Sequence, residues 1–309
     1  MNWSFSKYRE FKKCQRKWFL NEKVGSRSNK DEFRREIYLL SQLESVDAWR
    51  GKIVDYTIGE FIIPRIKKRI NQDEVLCFAK KVARARYDFA FTEKHKEIGI
   101  KKTEHDYDYS ALYIVEYKDA DLDLNLIFKK AWNEVEQALK NFLNNSELIE
   151  YLITADYLVR QRNLKFSFND WTVQGVPDLI MFFKHRAPHI FDWKVHYFGT
   201  RSYNDQLFLY ALALVRCNPH KDFLQYMSNH AATEIDLTEY QLLKNTIRNY
   251  KISFDDLESV CDDIADGIHL MQMKKCDADY KSLLIDDFEK TINIDSCRSC
   301  VFKRICKED

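Results

Sequence analysis

The sequence predicts an α/β fold in which helices flank a central β-sheet, and three observations lead to this class. Side chains alternate with a period of two from about residue 157. Two mainly apolar runs follow, at 173–183 and 190–195. Apolar residues at helical spacing dominate the sequence before, between and after these strands. Strands in the middle of a chain, with helices on both sides, favour helices packed against a sheet.

Length and composition allow a full hydrophobic core. The chain has 309 residues, of which 45% are hydrophobic, and this is enough for one large domain or two modest ones. Only 7 glycines and 4 prolines occur, so we do not expect long linkers. The net charge of +1 excludes a polybasic coat protein. It does not exclude a nucleic-acid-binding protein, because binding depends on where the charges lie.

The charges are unevenly distributed along the chain. Basic clusters at 7–17, 65–69 and 80–86 contrast with an acidic run at 255–266. Each of these runs is typical of a solvated helix face. The basic clusters at 65–69 and 80–86 are also suited to contact phosphate groups.

The sequence indicates a cytoplasmic protein that does not associate with membranes. The N-terminal stretch is polar and charged and has no apolar signal-peptide region. The longest apolar run, at 207–215, is too short to span a membrane. Cytoplasmic thiols stay reduced, so the 8 cysteines indicate a metal or a cluster before they indicate disulfides.

The N-terminal half is predicted to be mainly helical. Apolar residues recur at every third or fourth position in five stretches, which are 4–20, 31–43, 49–63, 65–96 and 119–153. Pro64 ends the third helix, and residues 144–146 interrupt the fifth. Aromatic and β-branched residues at 107–117 predict a strand.

The C-terminal half is predicted to alternate between strands and helices. Strands are expected over 157–168, over the two apolar runs and near 223–227. Helices are expected over 202–215, 238–250 and 254–273.

Two carboxylates and a lysine lie on the apolar runs, which predict a β-hairpin. Asp192 and Lys194 are two residues apart and therefore point to the same face of a strand. A turn centred near 185–186 places Asp178 opposite residues 192–194. Close, buried carboxylates repel each other unless a cation lies between them, and oxygen ligands suit Mg²⁺ or Mn²⁺. We therefore predict a metal-dependent phosphodiesterase site in which Lys194 orients or deprotonates the attacking water.

The alternative interpretation of the hairpin is a structural salt bridge between aspartate and lysine. The same face of the hairpin is largely apolar, which argues against this interpretation, because burying charged groups that have no function costs free energy. On the following helix, Gln206 and Tyr210 lie one turn apart. Both residues either belong to the site or have only structural roles, Gln206 as a capping residue and Tyr210 as part of the core.

Three short motifs resemble the core motifs of the PD-(D/E)XK nuclease superfamily, and they are Gly175-x-Pro-Asp178, Asp192-x-Lys194 and Gln206-Leu-x-x-Tyr210. The resemblance points to the RecB-like branch, which includes the Cas4 exonucleases and the AddB nuclease domain. It implies a central mixed sheet with a restriction-endonuclease-like core. The single nuclease domain would cover residues 1–309, with a mainly helical insertion at 65–150.

The resemblance also implies roles for the residues of the hairpin. Asp178 and Asp192 would bind the divalent metal, Mg²⁺ or Mn²⁺, together with the main-chain carbonyl of Trp193. Lys194 would be the catalytic lysine. The enzyme would then be a deoxyribonuclease that hydrolyses phosphodiester bonds.

Two further positions are interpreted through the same resemblance. Gln206 and Tyr210 would contact DNA and order the site. The RecB-like branch usually carries a histidine ligand in a Gly-x-x-x-His pattern on an early helix, but here Gly51 is followed at that spacing by Asp55. Asp55 is either a replacement metal ligand or a residue of the helix surface.

Four cysteines form a second candidate site. The motif Cys297-x2-Cys300-x5-Cys306 needs a fourth thiolate to hold a tetrahedral Zn²⁺ ion or a [4Fe–4S] cluster. Cys14 is the best candidate, and spacing alone does not separate iron–sulfur from zinc. One distant upstream cysteine with this C-terminal motif resembles the iron-staple nucleases of the RecB-like branch. The resemblance implies a [4Fe–4S] cluster held by residue 14 and residues 297–306.

Three functional hypotheses follow. The first is a DNA nuclease acting as an exonuclease or on ends and single strands, in repair, CRISPR adaptation or phage defence. No Gly-x-x-x-x-Gly-Lys-Ser/Thr motif occurs, so a helicase or another repair or defence protein would act in trans. The second is a non-catalytic, metal-stapled DNA-binding or scaffold subunit, which the missing histidine favours. The third is a zinc-stapled enzyme that acts on another phosphodiester or on RNA.

Overall fold

The computed structural model describes residues 1–28, 30–68, 70–113, 123–195, 204–223 and 230–307. Within these ranges the α-helices are α1 (Phe5–Lys13), α2 (Gln15–Phe19), α3 (Glu32–Ser41), α4 (Val46–Tyr56), α5 (Gln72–Phe91), α6 (Leu124–Asn144), α7 (Ser146–Ile153), α8 (Asn204–Arg216), α9 (Phe254–Met273), α10 (Ile294–Arg298) and α11 (Lys303–Lys307). The strands are β1 (Asn2–Trp3), β2 (Leu43–Glu44), β3 (Ala111–Leu112), β4 (Tyr157–Arg160), β5 (Leu164–Phe168), β6 (Trp171–Gly175), β7 (Leu179–Phe182), β8 (His189–Lys194), β9 (Asp236–Gln241) and β10 (Thr246–Tyr250).

The chain packs into two units. The first unit consists of residues 1–5, 50–80 and 129–266. The second consists of residues 6–49, 81–128 and 267–309. The single nuclease domain over residues 1–309 and the helical insertion at 65–150 stay predictions.

Local capping explains where several helices begin. Asp31 precedes α3, and its Oδ1 accepts a hydrogen bond from the Arg34 amide at 3.0 Å. Asn145 separates α6 from α7 and accepts from the Leu148 amide at 3.0 Å. The predicted helix over 4–20 is interrupted, because Cys14 has extended backbone (φ −162°) and its Sγ accepts from the Lys17 amide at 3.4 Å. The prediction of one continuous helix there was wrong, and α1 and α2 replace it.

The first unit contains a mixed five-stranded sheet in the order β10-β9-β8-β7-β4. Strands β8 and β9 are parallel, and the other neighbours are antiparallel. A separate three-stranded sheet has the order β1-β6-β5. The predicted α/β class with a mixed sheet is confirmed.

Helices of the first unit pack against both faces of the five-stranded sheet. On one face, Phe142 of α6 contacts Trp193 of β8 edge to face, with ring centroids 6.2 Å apart. The hydroxyl of Tyr240, on β9, donates to the main-chain oxygen of Asn141 at 3.0 Å. Helix α8 packs against β5, β6, β8 and β9. The apolar runs of the sequence thus form a sheet that is flanked by helices.

The register of β7 and β8 agrees with the predicted hairpin. Leu179 pairs with Phe191, and Ile180 pairs with Ile190. The residue numbers of each pair add to 370, which centres the connection at 185. Side chains of both strands are almost fully buried, as expected for strands covered by helices on both faces.

The helix predicted over 238–250 is wrong, because this segment forms the antiparallel strands β9 and β10. Asn245 adopts the left-handed backbone conformation (φ 51°) in the connection between them, a conformation that asparagine tolerates better than most residues. Five of the six residues of β9 are buried, so polar and apolar side chains do not alternate along it. The missing alternation made the strand hard to recognise.

Three other predicted elements lie partly outside the described residues. The strand predicted over 107–117 is described only as far as residue 113 and contains the two-residue strand β3. The strand predicted near 223–227 lies outside the described residues except for Phe223. The helix predicted over 202–215 is described from residue 204, where α8 begins.

The second unit has a core of aromatic side chains. Trp18 is fully buried and packs against Phe11, with ring centroids 5.4 Å apart, and against Phe288 at 6.2 Å. The buried Arg16 donates from Nε to the main-chain oxygen of Phe288 at 3.2 Å. The residues around Cys14 are therefore tied to the segment that precedes the C-terminal cysteines.

Across the described ranges, no helix is both long enough and apolar enough to cross a membrane.

Candidate active site

Asp178 and Asp192 lie side by side at the end of the β7–β8 hairpin. Asp178 immediately precedes β7, and Asp192 follows Phe191, the residue paired with Leu179. Their carboxyl groups share a hydrogen bond. The backbone amide of Trp193 also donates to Oδ2 of Asp178 at 2.9 Å. The antiparallel register thus brings the two predicted metal-binding carboxylates together.

The proximity of these acids makes both of them hard to ionise. Burial, and then the charges of Asp192 and Asp55, raise the pKa of Asp178 well above its ordinary value. Burial also raises the pKa of Asp192, although the neighbouring Lys194 opposes the shift. Carboxylates in this situation gain most from a bound cation, because a cation removes both the desolvation cost and the mutual repulsion.

Lys194 lies on the same face of β8 as Asp192, and the two form an ion pair. Burial alone would lower the pKa of Lys194, but the charges of Asp192 and Asp178 outweigh it, and the pKa is raised. The ammonium Nζ also lies 3.4 Å from Oε1 of Gln206. Lys194 is therefore held as a cation next to the acidic pair.

Helix α8 contributes Gln206 and Tyr210 to the same site. Nε2 of Gln206 donates to the Tyr210 hydroxyl at 2.5 Å, which is the contact expected for side chains one turn apart. Burial, followed by the charges of Asp192 and Asp178, raises the pKa of Tyr210. Tyr210 therefore stays protonated near both acids.

Gly175 explains how Tyr210 can approach the strands so closely. A Cβ atom at position 175 would lie 2.8 Å from Cδ1 and 3.1 Å from Cε1 of Tyr210. Side-chain carbons essentially never approach so closely, so only glycine fits without a shift of the ring. The first residue of the Gly175-x-Pro-Asp178 motif thus has a packing function.

Asp55, on α4, lies next to the hairpin and is not an isolated residue of the helix surface. The indole Nε1 of Trp193 donates to its Oδ1 at 3.1 Å. Nε2 of Gln161 donates to its other oxygen. The α4 helix is anchored beside the site through Arg50, which pairs with Glu134 and donates to the main-chain oxygen of Val195 at 2.6 Å.

The side chains present suit a hard divalent cation. No group of three or more His, Cys, Asp or Glu side chains stands in ligating geometry among the described residues. Mg²⁺, however, is commonly held by one or two carboxylates and keeps several waters. Two adjacent carboxyl groups with raised pKa values provide that donor set, and Asp55 is a third acid nearby. A bound cation would supply Lewis acidity and activate water for attack on a phosphodiester.

The four predicted cluster cysteines line one cavity of the second unit. This cavity of about 590 Å³ is lined by Cys14, Cys297, Cys300 and Cys306. Burial raises the pKa values of Cys300 and Cys306, and each of the two also interacts electrostatically with Cys14. Among the described residues, no three of these thiols are arranged so that they could bind one metal ion together. The [4Fe–4S] cluster therefore stays a prediction.

Sequence reasoning missed three residues of the site. Gln161 bonds to Asp55, and Glu239 and Gln241 lie on β9 beside Asp192 and Lys194. The latter two fall within the segment predicted as a helix. Asn245 followed by the β-branched residues 246–247 was the available signal for a turn and a strand.

All of the candidate residues of the first unit are thus brought into one neighbourhood, and their individual roles stay predictions. A family model for the PD-(D/E)XK nuclease superfamily matches residues 2–307. No curated protein matches the sequence. Members of the superfamily are in general nucleases that use divalent metals such as Mg²⁺ or Mn²⁺, a chemistry that two carboxylates and a lysine suit. This chain belongs to the PD-(D/E)XK nuclease superfamily.

Proposed function

We propose that this protein is a DNA nuclease that hydrolyses phosphodiester bonds with Mg²⁺ or Mn²⁺, as an exonuclease or on ends and single strands. The observation that carries the proposal is the convergence of Asp178, Asp192 and Lys194 on one face of the hairpin. A purely structural salt bridge would need only one acid. A second buried acid beside the first raises the energy of the metal-free protein, which is expected at a cation site.

In this proposal Asp178 and Asp192 hold the cation together with the Trp193 carbonyl, and Asp55 takes the place of the usual histidine. Lys194 orients the attacking water and stabilises negative charge that develops on the phosphate. Gln206 fixes the Lys194 ammonium through its Oε1 atom, 3.4 Å away. Tyr210 keeps Gln206 in place.

Basic side chains close to the site support a polyanionic substrate. A cavity of about 350 Å³ beside the edge strand β4 is lined by Lys67, Lys68 and Arg160, together with Asp156. Arg160 also pairs with Glu60 at 2.7 Å. Arg160 directly precedes Gln161, which donates to Asp55. Phosphates of a nucleic-acid strand would be attracted to these cations, with an affinity that falls as salt increases.

We further propose that Cys14, Cys297, Cys300 and Cys306 hold a [4Fe–4S] cluster, as in the iron-staple nucleases of the RecB-like branch. The cavity that these four cysteines share supports this proposal. The same cavity is also lined by five basic residues, Arg9, Lys13, Lys17, Lys290 and Lys303. Cations around the cavity would stabilise the negative charge of four thiolates. Iron and sulfide analysis of anaerobically purified protein tests the cluster. A colourless protein that contains zinc would contradict the iron–sulfur cluster and indicate that the four cysteines bind zinc.

The activity is tested with wild-type protein on circular plasmid, linear duplex and single-stranded DNA, each with Mg²⁺, Mn²⁺ or EDTA. We expect cleavage of linear or single-stranded DNA with either metal and none in EDTA. RNA of the same sequence serves as the control for substrate class. DNA binding without cleavage under every metal condition would support the scaffold subunit instead.

A partner in trans is part of the proposal, because the sequence has no phosphate-binding loop motif of its own. A helicase would supply single strands from duplex DNA during repair, CRISPR adaptation or phage defence. Rapid cleavage of single strands, with slow cleavage of blunt duplex, is the expected pattern for an enzyme that depends on such a partner.

A further inference from the structure

A row of charged side chains crosses three neighbouring strands on the face that carries the site. Asp192 on β8 is in register with Glu239 on β9, and Glu239 is in register with Arg248 on β10. Residues in register on neighbouring strands point to the same face of a sheet. Glu239 is therefore a further acid next to Asp192, contributed by the strand on the side opposite Asp178.

The environment of Glu239 is unusual for a carboxylate. Its exposure is 0%, and Oε1 accepts a hydrogen bond from Nε2 of Gln241. Nη1 of Arg248 lies 3.9 Å from the same oxygen. No group in the described chain donates to Oε2. A buried acceptor without a donor destabilises the folded state, so an acid at this position is expected to have a function.

Lys194 is a second cation near this acid, besides Arg248. Its ammonium now pairs with Asp192, the same carboxylate that the proposed function assigns to the metal. A divalent cation at Asp192 would repel the ammonium and compete for the same oxygens. Lys194 lies two residues further along β8, in register with Gln241, and the charge of Glu239 already acts on it. Glu239 thus offers a second anionic partner on the same face.

We propose that Glu239 is a positioning residue that accepts the Lys194 ammonium when Asp192 binds the divalent cation. This inference rests on the proposed metal-dependent function. Glu239 contacts neither substrate nor metal in this scheme. It gives Lys194 an alternative partner, so that the metal and the lysine do not compete for one carboxylate. Gln241 holds Glu239 in place by donating to its other oxygen.

The test is a double-mutant cycle on metal affinity, measured calorimetrically with Mn²⁺ in the absence of DNA. Glu239→Gln keeps the size of the side chain and removes its charge. We expect this change to weaken Mn²⁺ binding about tenfold, the range seen for groups that support metal ligands. In the Lys194→Met background no ammonium needs a new partner, so we expect the same change to cost at most about threefold.

Asp236→Asn is the matched control, because Asp236 lies on the same strand, points to the opposite face and pairs with Lys251. It should leave Mn²⁺ affinity unchanged in both backgrounds. Thermal unfolding of the metal-free variants reports whether they fold. If Glu239→Gln does not fold, Glu239→Asp serves in the same cycle, because it keeps the buried charge that pairs with Arg248 and withdraws the carboxylate from Lys194.

Equal losses of affinity in the two backgrounds would overturn the inference, because Glu239 would then act on the metal independently of Lys194. No effect of Glu239→Gln in either background would overturn it as well. The proposed function fails differently, since wild-type protein would then bind no Mn²⁺ or would bind it without cleaving DNA.

Discussion

The indole Nε1 of Trp193 donates a hydrogen bond to Oδ1 of Asp55 at 3.1 Å. Trp193 separates Asp192 from Lys194 in the sequence, and its backbone amide donates to Asp178 at 2.9 Å. One residue therefore positions the helix acid with its side chain and a hairpin acid with its main chain. Asp55 belongs to the same electrostatic neighbourhood, because its charge contributes to the raised pKa of Asp178.

Asp55→Ala should weaken Mn²⁺ binding by about tenfold, with a comparable loss of nuclease activity at limiting metal. Trp193→Phe should cause a smaller loss, because it keeps the main-chain carbonyl and removes only the indole donor. Calorimetric Mn²⁺ titrations measure both. Asp73→Asn, on an exposed turn of α5, is the control and should behave as wild type. Unchanged metal affinity in Asp55→Ala would show that Asp55 does not replace the histidine ligand.

Gly175→Ala should destabilise the protein by about 1–3 kcal/mol, the usual cost of overpacking a tight contact. The added Cβ would lie 2.8 Å from the Tyr210 ring, so the ring must move and Gln206 loses its partner. Nuclease activity should fall together with the melting temperature. Gly51→Ala is the matched control, because nothing lies within 4 Å of its Cβ position. That helical change should stabilise the protein by about 0.5–1 kcal/mol, and equal effects of the two variants would contradict the packing argument.

Asp178→Asn should make the metal-free protein more stable at neutral pH while abolishing nuclease activity. Burial and the nearby acids raise the pKa of Asp178 above its unfolded value, so ionisation at neutral pH penalises the folded state. This penalty is complete above the folded pKa and disappears as pH falls towards the unfolded pKa. The melting temperature in EDTA should rise by about 2–4 °C for each kcal/mol relieved.

The advantage of Asp178→Asn over wild type should therefore shrink as the buffer is made more acidic. Added Mn²⁺ should stabilise the wild-type protein and leave the variant unchanged. Differential scanning calorimetry across a pH series measures both effects. A variant that is less stable than wild type in EDTA at neutral pH would contradict the assigned repulsion.

Cys300→Ser should remove the visible absorbance of the cluster and lower the melting temperature by about 5 °C or more, because cluster binding adds to the folding free energy. Cys77→Ser is the control, since Cys77 is exposed on α5 and does not line the cysteine cavity. Absorbance spectra and thermal unfolding of the two variants make the comparison. A coloured and fully stable Cys300→Ser protein would remove Cys300 from the ligand set.

The hairpin chemistry was accessible from the sequence because it follows local rules. The alternation of side chains along a strand places Asp192 and Lys194 on one face. Antiparallel pairing around a turn near residue 185 then places Asp178 opposite Asp192. Helical spacing likewise predicts that Gln206 and Tyr210 meet. These relationships can be predicted once the type of each element and the position of one turn are known.

The remaining parts of the site depend on contacts between distant segments. The β9 strand was misread as a helix because burial on both faces leaves no alternation, and its parallel pairing with β8 crosses a long connection. Glu239 was missed for that reason. The contact between Trp193 and Asp55 joins a helix and a strand far apart in the chain. The close fit of Gly175 against Tyr210 is a packing relationship that no sequence period indicates.

Metal-dependent cleavage of single-stranded DNA by wild type, Asp192→Ala and Lys194→Ala tests the central claim most directly. Removing the metal-binding carboxylate or the catalytic lysine should lower the rate by about 100-fold or more. Circular dichroism and thermal unfolding should show that both variants remain folded. The account predicts Mn²⁺-dependent cleavage by wild type and a rate lower by about 100-fold or more in each variant, and wild-type rates in a folded variant would contradict it.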